Sequence, residues 1–390
     1  MAGILDGYRV LELGGYVAAP FCGLVLAQLG AEVIKVESFA GDPTRVRTAN
    51  FIANNAGKRS VVIDLKRPEA AAVWHPLLSS AHALVHNVDN AAMKRLGITF
   101  EGCRKVNPNL VYSHIKAFGE GPYSERTATN PVVEALSGLM SITDNAGKPG
   151  RQASSFFDQM AGLFAAIGIM TDLLRPAESG YTEIGLFETG LFSTAPRLAD
   201  YVVSKELSGE VWGTAPYDTF ETLDKKWIFL GVINDAFWRA FCEVMQLPDV
   251  LADTSIATSA QRLARKHYVN SIADEAISRY PRAEVLAMLE GAGVPAAPVN
   301  DFADVLQDPH VRAPGKTYST SFDGHSVLLP TLPLVGSLAP AAPTSASTPE
   351  LGGDSVDIFD SLGLSSEDVG ALISRGVVSD SRPTGSGKGN

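Results

Sequence analysis

Cysteine is scarce in this sequence. The 390-residue chain contains three cysteines, Cys22, Cys103 and Cys242, and none of them shows CxxC spacing. An odd number without that spacing builds neither a disulfide scaffold nor a cysteine zinc site. We expect all three to be small buried side chains in a reducing compartment.

The sequence also contains fewer basic than acidic residues. Lys and Arg number 32 against 43 Asp and Glu, which gives a formal net charge of −11. Such a chain repels a phosphate backbone, and this argues against non-specific binding of nucleic acid. Any anionic substrate must therefore bind at a local cluster of basic residues.

Long hydrophobic runs are missing. The longest apolar stretch, from Met160 to Leu174, is interrupted by Asp172, and it is too short to cross a bilayer. The N-terminus carries Asp6 where a signal peptide needs an apolar core. We expect a cytoplasmic protein with no membrane partner.

Several common functional motifs are absent as well. The segment GGYVAAP does not match GxGxxG, and the chain contains neither GxSxG nor GxxxxGK[ST]. Hydride transfer, the common hydrolase elbow and the P-loop are therefore disfavoured. His82 and His86 stand four apart, but ALVHNV predicts a strand, in which that spacing is too long for tight chelation. We predict no metal site.

The first 118 residues alternate short apolar runs with longer mixed segments. The runs occupy residues 9–13, 32–37, 60–65, 83–88 and 110–115. Short β-branched runs joined by segments long enough for a helix predict an α/β fold with a parallel sheet. Residues 158–175 and 183–206 predict core helices, and residues 212–310 predict a second, smaller α+β unit.

Two segments near the C-terminus have a composition unlike the rest. Residues 330–350 are rich in Pro, Ala and Ser, which predicts an extended connector. The last ten residues, SRPTGSGKGN, predict disorder.

The sequence resembles the family III CoA-transferases, which include formyl-CoA transferase, carnitine CoA-transferase and α-methylacyl-CoA racemase. The matching segments run almost end to end and keep the family's order: LDGYRVLELGGYVAAP, LAQLGAEVIKVE, NNAGKRSVVIDLK, HNVDNAAMKRLG, EALSGLM, FFDQMAGLFAAIG, APYDTFETLDKKWIFLG and AGVPAAPVND. Each segment alone is weak evidence, but their common order makes a chance resemblance improbable.

The resemblance implies a particular architecture. It implies a Rossmann-like large domain from residues 1–205 and 325–390 and a small α+β domain from residues 212–310. Residues 206–211 and 311–324 would be the linkers. Members of the family form interlocked homodimers, so we expect one here.

The resemblance places the nucleophile at Asp158. A carboxylate can attack an acyl-CoA thioester and later carry the CoA as an aspartyl thioester, so no permanently bound cofactor is needed. An aspartate at a helix N-terminus lies beside free N–H groups and the positive end of the helix dipole, which favours its ionised form. The ordinary alternative is an aspartate that only caps the helix.

The resemblance also implies the residues that bind CoA. Backbone atoms after the first strand and side chains after the third and fourth would contact it, and these residues are Val17, Ala18, Ile63, Lys66, Asn87, Val88 and Arg95. Basic residues suit the phosphate groups of CoA. Lys58, Arg59 and Arg67 lie nearby in the sequence and would extend the basic cluster, although a solvated surface role is favoured for Arg67.

Some positions depart from the family pattern. Ser38 stands where formyl-CoA transferase has a basic residue, and residues 231–238 lack that enzyme's glycine-rich loop, which disfavours oxalate and formate as substrates. The histidine of the racemase is replaced at Thr129 and Asn130, and neither residue exchanges a proton at neutral pH.

The sequence does not identify the acyl substrates. Short segments are similar to the subgroup that moves CoA between the two carboxylates of mesaconate, formally an isomerase. A small dicarboxylic acid would need a cation near Asp158, and Arg151 is a candidate from its position in the sequence, with Asn130 as a polar candidate. The alternatives are an α-methylacyl-CoA racemase and a non-catalytic protein that binds acyl-CoA.

Overall fold

The computed structural model describes residues 3–145, 147–174, 180–205, 213–334 and 345–380. The chain divides into two compact units, Met1–Pro196 with Arg312–Asn390, and Arg197–Val311. The predicted linker 206–211 and the predicted disordered tail 381–390 lie outside the described residues.

The strands are, in chain order, β1 (Arg9–Leu13), β2 (Glu32–Glu37), β3 (Arg59–Ile63), β4 (Ala83–His86), β5 (Val111–Lys116), β6 (Asp144–Asn145), β7 (Lys148–Pro149), β8 (Tyr181–Gly185), β9 (Tyr217–Glu221), β10 (Trp227–Gly231), β11 (Ala296–Pro298), β12 (Thr317–Phe322), β13 (His325–Pro330), β14 (Ser345–Ser347) and β15 (Val378–Ser379).

The helices of the first half are α1 (Ala18–Gln28), α2 (Thr48–Asn55), α3 (Ala71–Ser79), α4 (Asn90–Leu96), α5 (Phe100–Val106), α6 (Asn130–Leu136), α7 (Leu139–Ile142), α8 (Phe156–Leu174) and α9 (Leu186–Ser204). Those of the second half are α10 (Asp235–Val244), α11 (Pro248–Ala252), α12 (Ser259–Ala264), α13 (Lys266–Ile277), α14 (Arg282–Gly291), α15 (Phe302–Gln307), α16 (Ser355–Ser361) and α17 (Ser366–Ser374).

The first unit is built around a seven-stranded sheet with the order β15-β3-β2-β1-β4-β5-β8. All pairs are parallel except β15 with β3. The predicted parallel α/β sheet is confirmed. The chain reverses its direction of travel across the sheet between β1 and β4, and such a switch point opens a crevice at the carboxyl ends of the strands.

The sheet corrects one prediction about secondary structure. The sequence predicts a single helix over residues 183–206, but Tyr181–Gly185 forms β8 at the edge of the sheet and α9 begins only at Leu186. The backbone of β8 pairs with β5 in parallel register from Tyr112 opposite Tyr181. This pairing with a distant strand outweighs the helical composition of the segment. Local sequence patterns contain no information about such a partner.

Helix α8 fills the core on one face of the sheet. Its residues Ala161, Ala165 and Ile169 are fully buried and belong to the same apolar cluster as residues of α1, β4 and β5. The helix is long and apolar enough to pass a length-and-composition test for a membrane span. Packing in this cluster accounts for the apolar residues on one side of the helix, while Leu163 and Ile167 are exposed in the first unit.

Gly162 allows the close approach of α8 to α1. A Cβ atom at this position would lie 2.5 Å from the carbonyl oxygen of Ala18 and 3.0 Å from the amide nitrogen of Cys22. Both neighbours are backbone atoms of a buried helix, so they cannot yield as a flexible side chain would. The glycine thus joins the N-terminal part of α8 to the start of α1.

We expect Gly162→Ala to push the two helices apart. Overpacking of this kind costs about 1–3 kcal/mol of the free energy of unfolding, which urea denaturation measures. Gly370→Ala on α17 is the control, because a Cβ at this helical glycine would meet nothing within 4 Å. Equal stability of the two variants would contradict this account of Gly162.

The second unit has a separate core. Strands β11, β10 and β9 form an antiparallel sheet, and helices α10, α13 and α14 contribute to its apolar cluster. This unit contains both strands and helices, and a small α+β domain with the bounds 212–310 stays a prediction.

The segment after residue 311 differs from the prediction. Part of the expected linker 311–324 forms β12, which pairs with β13 and, in parallel, with β14. Within the predicted connector 330–350, residues 335–344 lie outside the described residues, while Ser345–Ser347 forms β14. The small β12 sheet packs on α2 through Ile52 and Tyr318, a contact between distant segments that composition does not reveal.

Candidate active site

A cavity of about 350 Å³ opens at the carboxyl ends of β1, β2, β3 and β4. Four of the predicted CoA-binding residues line it, namely Ile63, Lys66, Asn87 and Val88. The cavity therefore lies beside the switch point of the sheet, where ligands of α/β proteins bind. The binding of CoA by these residues stays a prediction.

The other predicted CoA contacts flank this cavity in the sequence. Val17 and Ala18 directly follow Tyr16, which lines it, and the exposed Arg95 precedes Leu96, which also lines it. Val17 is the N-cap of α1 and makes no side-chain hydrogen bond to the helix. The first N–H groups of a helix have no partner inside it, so those of α1 suit contacts with a ligand.

The loop after β1 is clamped by the Asn87 side chain. Its amide oxygen accepts from the Gly15 N–H at 3.2 Å, and its amide nitrogen donates to the Gly15 carbonyl at 2.9 Å. A Cβ at Gly14 would lie 2.1 Å from the same amide oxygen. Tyr16 follows with φ of 65°, a left-handed conformation that non-glycine residues rarely adopt.

A buried network of charges lies beneath this loop. The Lys35 ammonium contacts Glu12 at 2.7 Å and Asp42 at 2.8 Å, and the Lys58 ammonium contacts the other oxygen of Glu12 at 2.6 Å. Lys35 also donates to the Gly14 carbonyl at 3.1 Å. Two carboxylates and two ammonium groups balance each other, which an interior of low dielectric requires.

The pKa values of this network follow from burial and mutual attraction. Burial opposes ionisation of Glu12, but Lys35 and Lys58 outweigh it and lower the pKa of the carboxyl. Burial lowers the pKa of Lys58 to about 8, against the attraction of Glu12. For Lys35, burial is outweighed by Glu12 and Asp42, which raise its pKa.

These contacts correct the predicted basic cluster. Lys58 is buried and bound to Glu12, so it does not face a phosphate. Arg59 is paired with Glu32 and Asp354, and Arg67 contacts the carbonyl of Arg375 and Glu69. The expectation that these three cations extend the phosphate site is wrong for Lys58 and unsupported for the two arginines, because their charges are already paired.

Two of the predicted phosphate-binding residues keep an exposed charge near the cavity. Lys66 and Arg95 are exposed, and among the described residues neither forms an ion pair. Ser38, which stands where a basic residue was expected from the family pattern, also lines the cavity. Of the predicted phosphate contacts, Lys66 and Arg95 therefore keep charges that can meet an anionic ligand, and the exposed Lys94 lies next to Arg95 in the chain.

Asp158 lies in the first turn of α8 and is partly buried. Its backbone N–H and that of Phe157 both donate to the side-chain oxygen of Asn130, at 3.2 and 3.0 Å. Contrary to the expectation that free N–H groups favour the ionised form, those of Phe157 and Asp158 are taken up by Asn130. Burial, together with the nearby Glu134 carboxylate, raises the pKa of Asp158 to about 6. A carboxylate with this pKa is ionised at neutral pH and more basic than an ordinary aspartate, which suits a nucleophile.

Asn130 is held from both sides. Its side-chain nitrogen donates to Glu134, one turn later on α6, and Asn130 itself is almost fully buried. The second oxygen of Glu134 accepts from the Gln152 N–H at 3.0 Å. Since both ends of the Asn130 amide are engaged, the structure gives no support to the prediction that Asn130 contacts substrate.

The structure shows no contact between the other substrate candidate, Arg151, and Asp158 among the described residues. Arg151 is exposed and precedes Gln152, whose backbone binds Glu134. Asp158 is not among the residues that line the cavity. The two regions are connected by the packing of α8 on α1, where Gly162 meets Ala18.

Sequence reasoning missed Glu134 and the charges beneath the loop. Glu134 could have been found from its spacing, because Asn130 and Glu134 stand four apart behind the helix-starting Pro131. Glu12 and Lys35 each interrupt an apolar strand, RVLEL and EVIKVE, and a charge inside a buried strand signals a paired partner. The choice of partner could not be read from the sequence.

Residues 5–355 match the model of CoA-transferase family III. The chain is 30% identical over 335 residues to succinate–glutarate CoA-transferase of Agrobacterium fabrum, covering 80% of this chain and 84% of that one. It is also 30% identical over 327 residues to succinyl-CoA–D-citramalate CoA-transferase of Chloroflexus aurantiacus, covering 79% and 81%. The crystal structure of a CAIB/BAIF family protein from Brucella suis superposes with a TM-score of 0.83 at 28% identity, covering 93% of this chain and all of that one.

Proposed function

The chain belongs to CoA-transferase family III, and we propose that it moves CoA from an acyl-CoA donor to a small carboxylic acid with Asp158 as the nucleophile. The observation that carries this proposal is the position of Asp158. It is a partly buried carboxylate on the first turn of the long helix α8, with a pKa raised to about 6 by burial and by Glu134.

The proposed reaction proceeds through activated acyl groups. The Asp158 carboxylate attacks the thioester carbonyl, the C–S bond breaks, and CoA leaves as a thiolate, which gives a mixed anhydride. The thiolate then attacks the aspartyl carbonyl and releases the donor acid, leaving an aspartyl-CoA thioester. The acceptor carboxylate repeats these two steps in reverse order, which forms the new acyl-CoA and restores Asp158. Because every intermediate keeps the activation of the thioester, the sequence needs no ATP.

The cavity beside the switch point is the proposed CoA site. Ile63, Asn87 and Val88 would contact the nucleotide, and the exposed Lys66 and Arg95 would bind its phosphate groups. Backbone groups of Val17 and Ala18 at the start of α1 would face the part of CoA that approaches the nucleophile. The packing of Gly162 on Ala18 supports this arrangement, because it ties the start of α1 to the helix of Asp158.

Dicarboxylic acids of four or five carbons are the proposed acyl substrates. Two similar proteins are named for transfer between succinate and glutarate and from succinyl-CoA to D-citramalate. A second carboxylate on the substrate needs a cation, and the exposed Arg151, seven residues before Asp158, is the proposed partner. Transfer within a single mesaconyl group is the narrower form of the same chemistry.

Covalent trapping tests the proposal. The protein is incubated with succinyl-CoA without an acceptor, reduced with borohydride, and digested for mass spectrometry. We expect modification at Asp158 and, in parallel assays, transfer of CoA to glutarate, citramalate or mesaconate. An unmodified Asp158 with succinyl-CoA, acetyl-CoA and mesaconyl-CoA as donors would refute the nucleophile. If acyl-CoA incubated in heavy water without an acceptor acid takes up deuterium at its α-carbon, the protein is instead a racemase.

The pH dependence of the trapping reaction gives a further prediction. Only the ionised Asp158 attacks, and its pKa is raised to about 6. The labelling rate should therefore be constant above pH 7 and fall about tenfold per unit below pH 6. Labelling is preferred to turnover as the measurement because it omits the titration of the acceptor acid. A half-maximal rate near pH 4 would show that the site does not perturb Asp158.

We further propose that the protein is an interlocked homodimer, as the family resemblance implies. Leu163 and Ile167 on α8, with Leu191 and Phe192 on α9, are exposed apolar side chains in the first unit. Exposed apolar surface on neighbouring helices is typical of a protein interface. Light scattering of the purified protein at assay concentration tests whether it is a dimer, and a monomer would contradict the proposal.

A further inference from the structure

We propose that Asn130 and Glu134 form a positioning pair that fixes the backbone of the nucleophile and keeps a buried negative charge one side chain away from it. This inference rests on the proposed role of Asp158. Neither residue would touch the reacting atoms, so both would act only through Asp158.

The Asn130 contact is made to the backbone of the reacting residue. The first N–H groups of a helix need acceptors from outside the helix, and in α8 the N–H groups of Phe157 and Asp158 share one oxygen of Asn130. This oxygen comes from α6, 28 residues before Asp158 in the chain. A local cap would hold only the helix end, whereas Asn130 fixes the start of α8 to a second helix.

Glu134 determines which way the Asn130 amide faces. Its carboxylate accepts from the Asn130 side-chain nitrogen, so the amide oxygen must point to α8. The other carboxylate oxygen is fixed by the Gln152 N–H. A reversed Asn130 amide would place its NH2 group against both the N–H groups of α8, and this is strongly unfavourable for buried groups.

Glu134 also acts through its charge. It is fully buried, and within the described residues no cation forms an ion pair with it. A buried carboxylate that is bound only by N–H donors keeps a strong field, since the surroundings screen it weakly. That field opposes the negative charge of Asp158 and makes its carboxylate more basic. Asn130 thus fixes the position of the nucleophile, and Glu134 adds to the effect of burial in raising the pKa of Asp158.

The hydrogen-bond pattern predicts that the two residue types can be exchanged as a pair. In the double variant Asn130→Asp with Glu134→Gln, the new carboxylate at position 130 accepts from α8 and from the new amide at position 134. The oxygen of that amide still accepts from the Gln152 N–H. Every donor again meets an acceptor, and one negative charge remains beside Asp158.

Each single substitution breaks the pattern. Asn130→Asp sets two carboxylates against each other, and Glu134→Gln sets two NH2 groups against each other unless the Asn130 amide turns away from α8. Misplacing a reacting group by about 1 Å costs on the order of 100-fold in rate. We expect each single variant to lose about 10- to 100-fold in the rate of Asp158 labelling by succinyl-CoA.

The experiment compares wild type, the two single variants and the double variant. The double variant should label Asp158 within about threefold of wild type, as expected when a coupled pair is restored together. Glu134→Gln should move the acid limb of the labelling rate to lower pH, and the double variant should return it to the wild-type position or above. A purely structural pair would change the rate without moving that limb.

Controls separate the possible failures. Ser365→Ala removes a helix cap on α17, where Ser365 accepts from the Asp368 N–H at 3.1 Å, and it should leave rate and acid limb unchanged. Single variants with wild-type rate and acid limb would overturn the inference, and so would a double variant that is unfolded or as slow as the singles. If a single variant does not fold, the double variant decides. Absence of labelling in the wild type would instead refute the proposed function itself.

Discussion

Asp158→Asn should abolish CoA transfer while leaving the fold intact. The substitution keeps the size of the side chain and removes the nucleophilic carboxylate, so neither the mixed anhydride nor the aspartyl-CoA thioester can form. Loss of a catalytic nucleophile lowers kcat by about 10³-fold or more. The measurement is turnover with succinyl-CoA and glutarate, together with borohydride trapping at position 158.

The matched control lies on the same helix. Asp172→Asn makes the same chemical change near the other end of α8, where the carboxylate accepts from the Thr182 hydroxyl at 2.7 Å, and an amide oxygen can still accept there. We expect turnover and labelling of Asp172→Asn to equal those of the wild type. Asp158→Asn that still transfers CoA would assign the chemistry to another residue.

Asp158→Asn should also become slightly more stable or remain unchanged in its free energy of unfolding. The wild-type carboxylate is ionised at neutral pH against burial and the field of Glu134, as its raised pKa shows. A raised carboxyl pKa means that the folded state disfavours the charge, and this cost disappears when the group is neutral. A folded, stable and inactive variant thus separates catalysis from stability.

Glu12→Gln should produce the largest loss of stability. Glu12 is the carboxylate that Lys35 and Lys58 share, at 2.7 and 2.6 Å, and all three side chains are fully buried. Removing one partner of a buried ion pair leaves an uncompensated charge and costs about 3–5 kcal/mol. The free energy of unfolding in urea measures this loss.

Two comparisons make the prediction specific. Glu32→Gln is the same substitution on a carboxylate that also binds two cations, Arg9 and Arg59, but at a partly exposed site, and it should cost only about 0–1 kcal/mol. Glu12→Leu combined with Lys58→Met removes one charge of each sign and should cost less than Glu12→Gln alone. Equal losses for Glu12→Gln and Glu32→Gln would refute the role assigned to burial.

The same network should influence the proposed CoA site. Lys35 connects it to the loop after β1 through the Gly14 carbonyl, and Asp42 connects it through the Tyr16 N–H at 3.3 Å. Disturbing the network therefore loosens the loop that faces the cavity. We expect the Kd for CoA to rise in Glu12→Gln and to stay at the wild-type value in Glu32→Gln.

The sequence by itself determined the fold class and the family. Five short apolar runs separated by helix-length segments suffice for a parallel α/β sheet, because burial on both faces imposes such a pattern on each strand. The family resemblance rests on many short matching segments that keep the same order. It places the nucleophile at Asp158, at the start of a helix. The apolar runs are local in the chain, and the matching segments are recognised from their order along it.

Only the tertiary structure decided which charges remain available and what holds the nucleophile. Lys58 and Lys66 are eight residues apart in the same segment, yet one is buried on Glu12 and the other is exposed at the cavity. The sequence suggests Asn130 for contact with substrate, but its amide oxygen accepts from the first N–H groups of the helix that carries Asp158. Such pairings join residues far apart in the chain, and their geometry depends on how helices and strands pack. No local sequence pattern encodes these distances. The partners in ion pairs and hydrogen bonds can therefore be identified only in the folded chain.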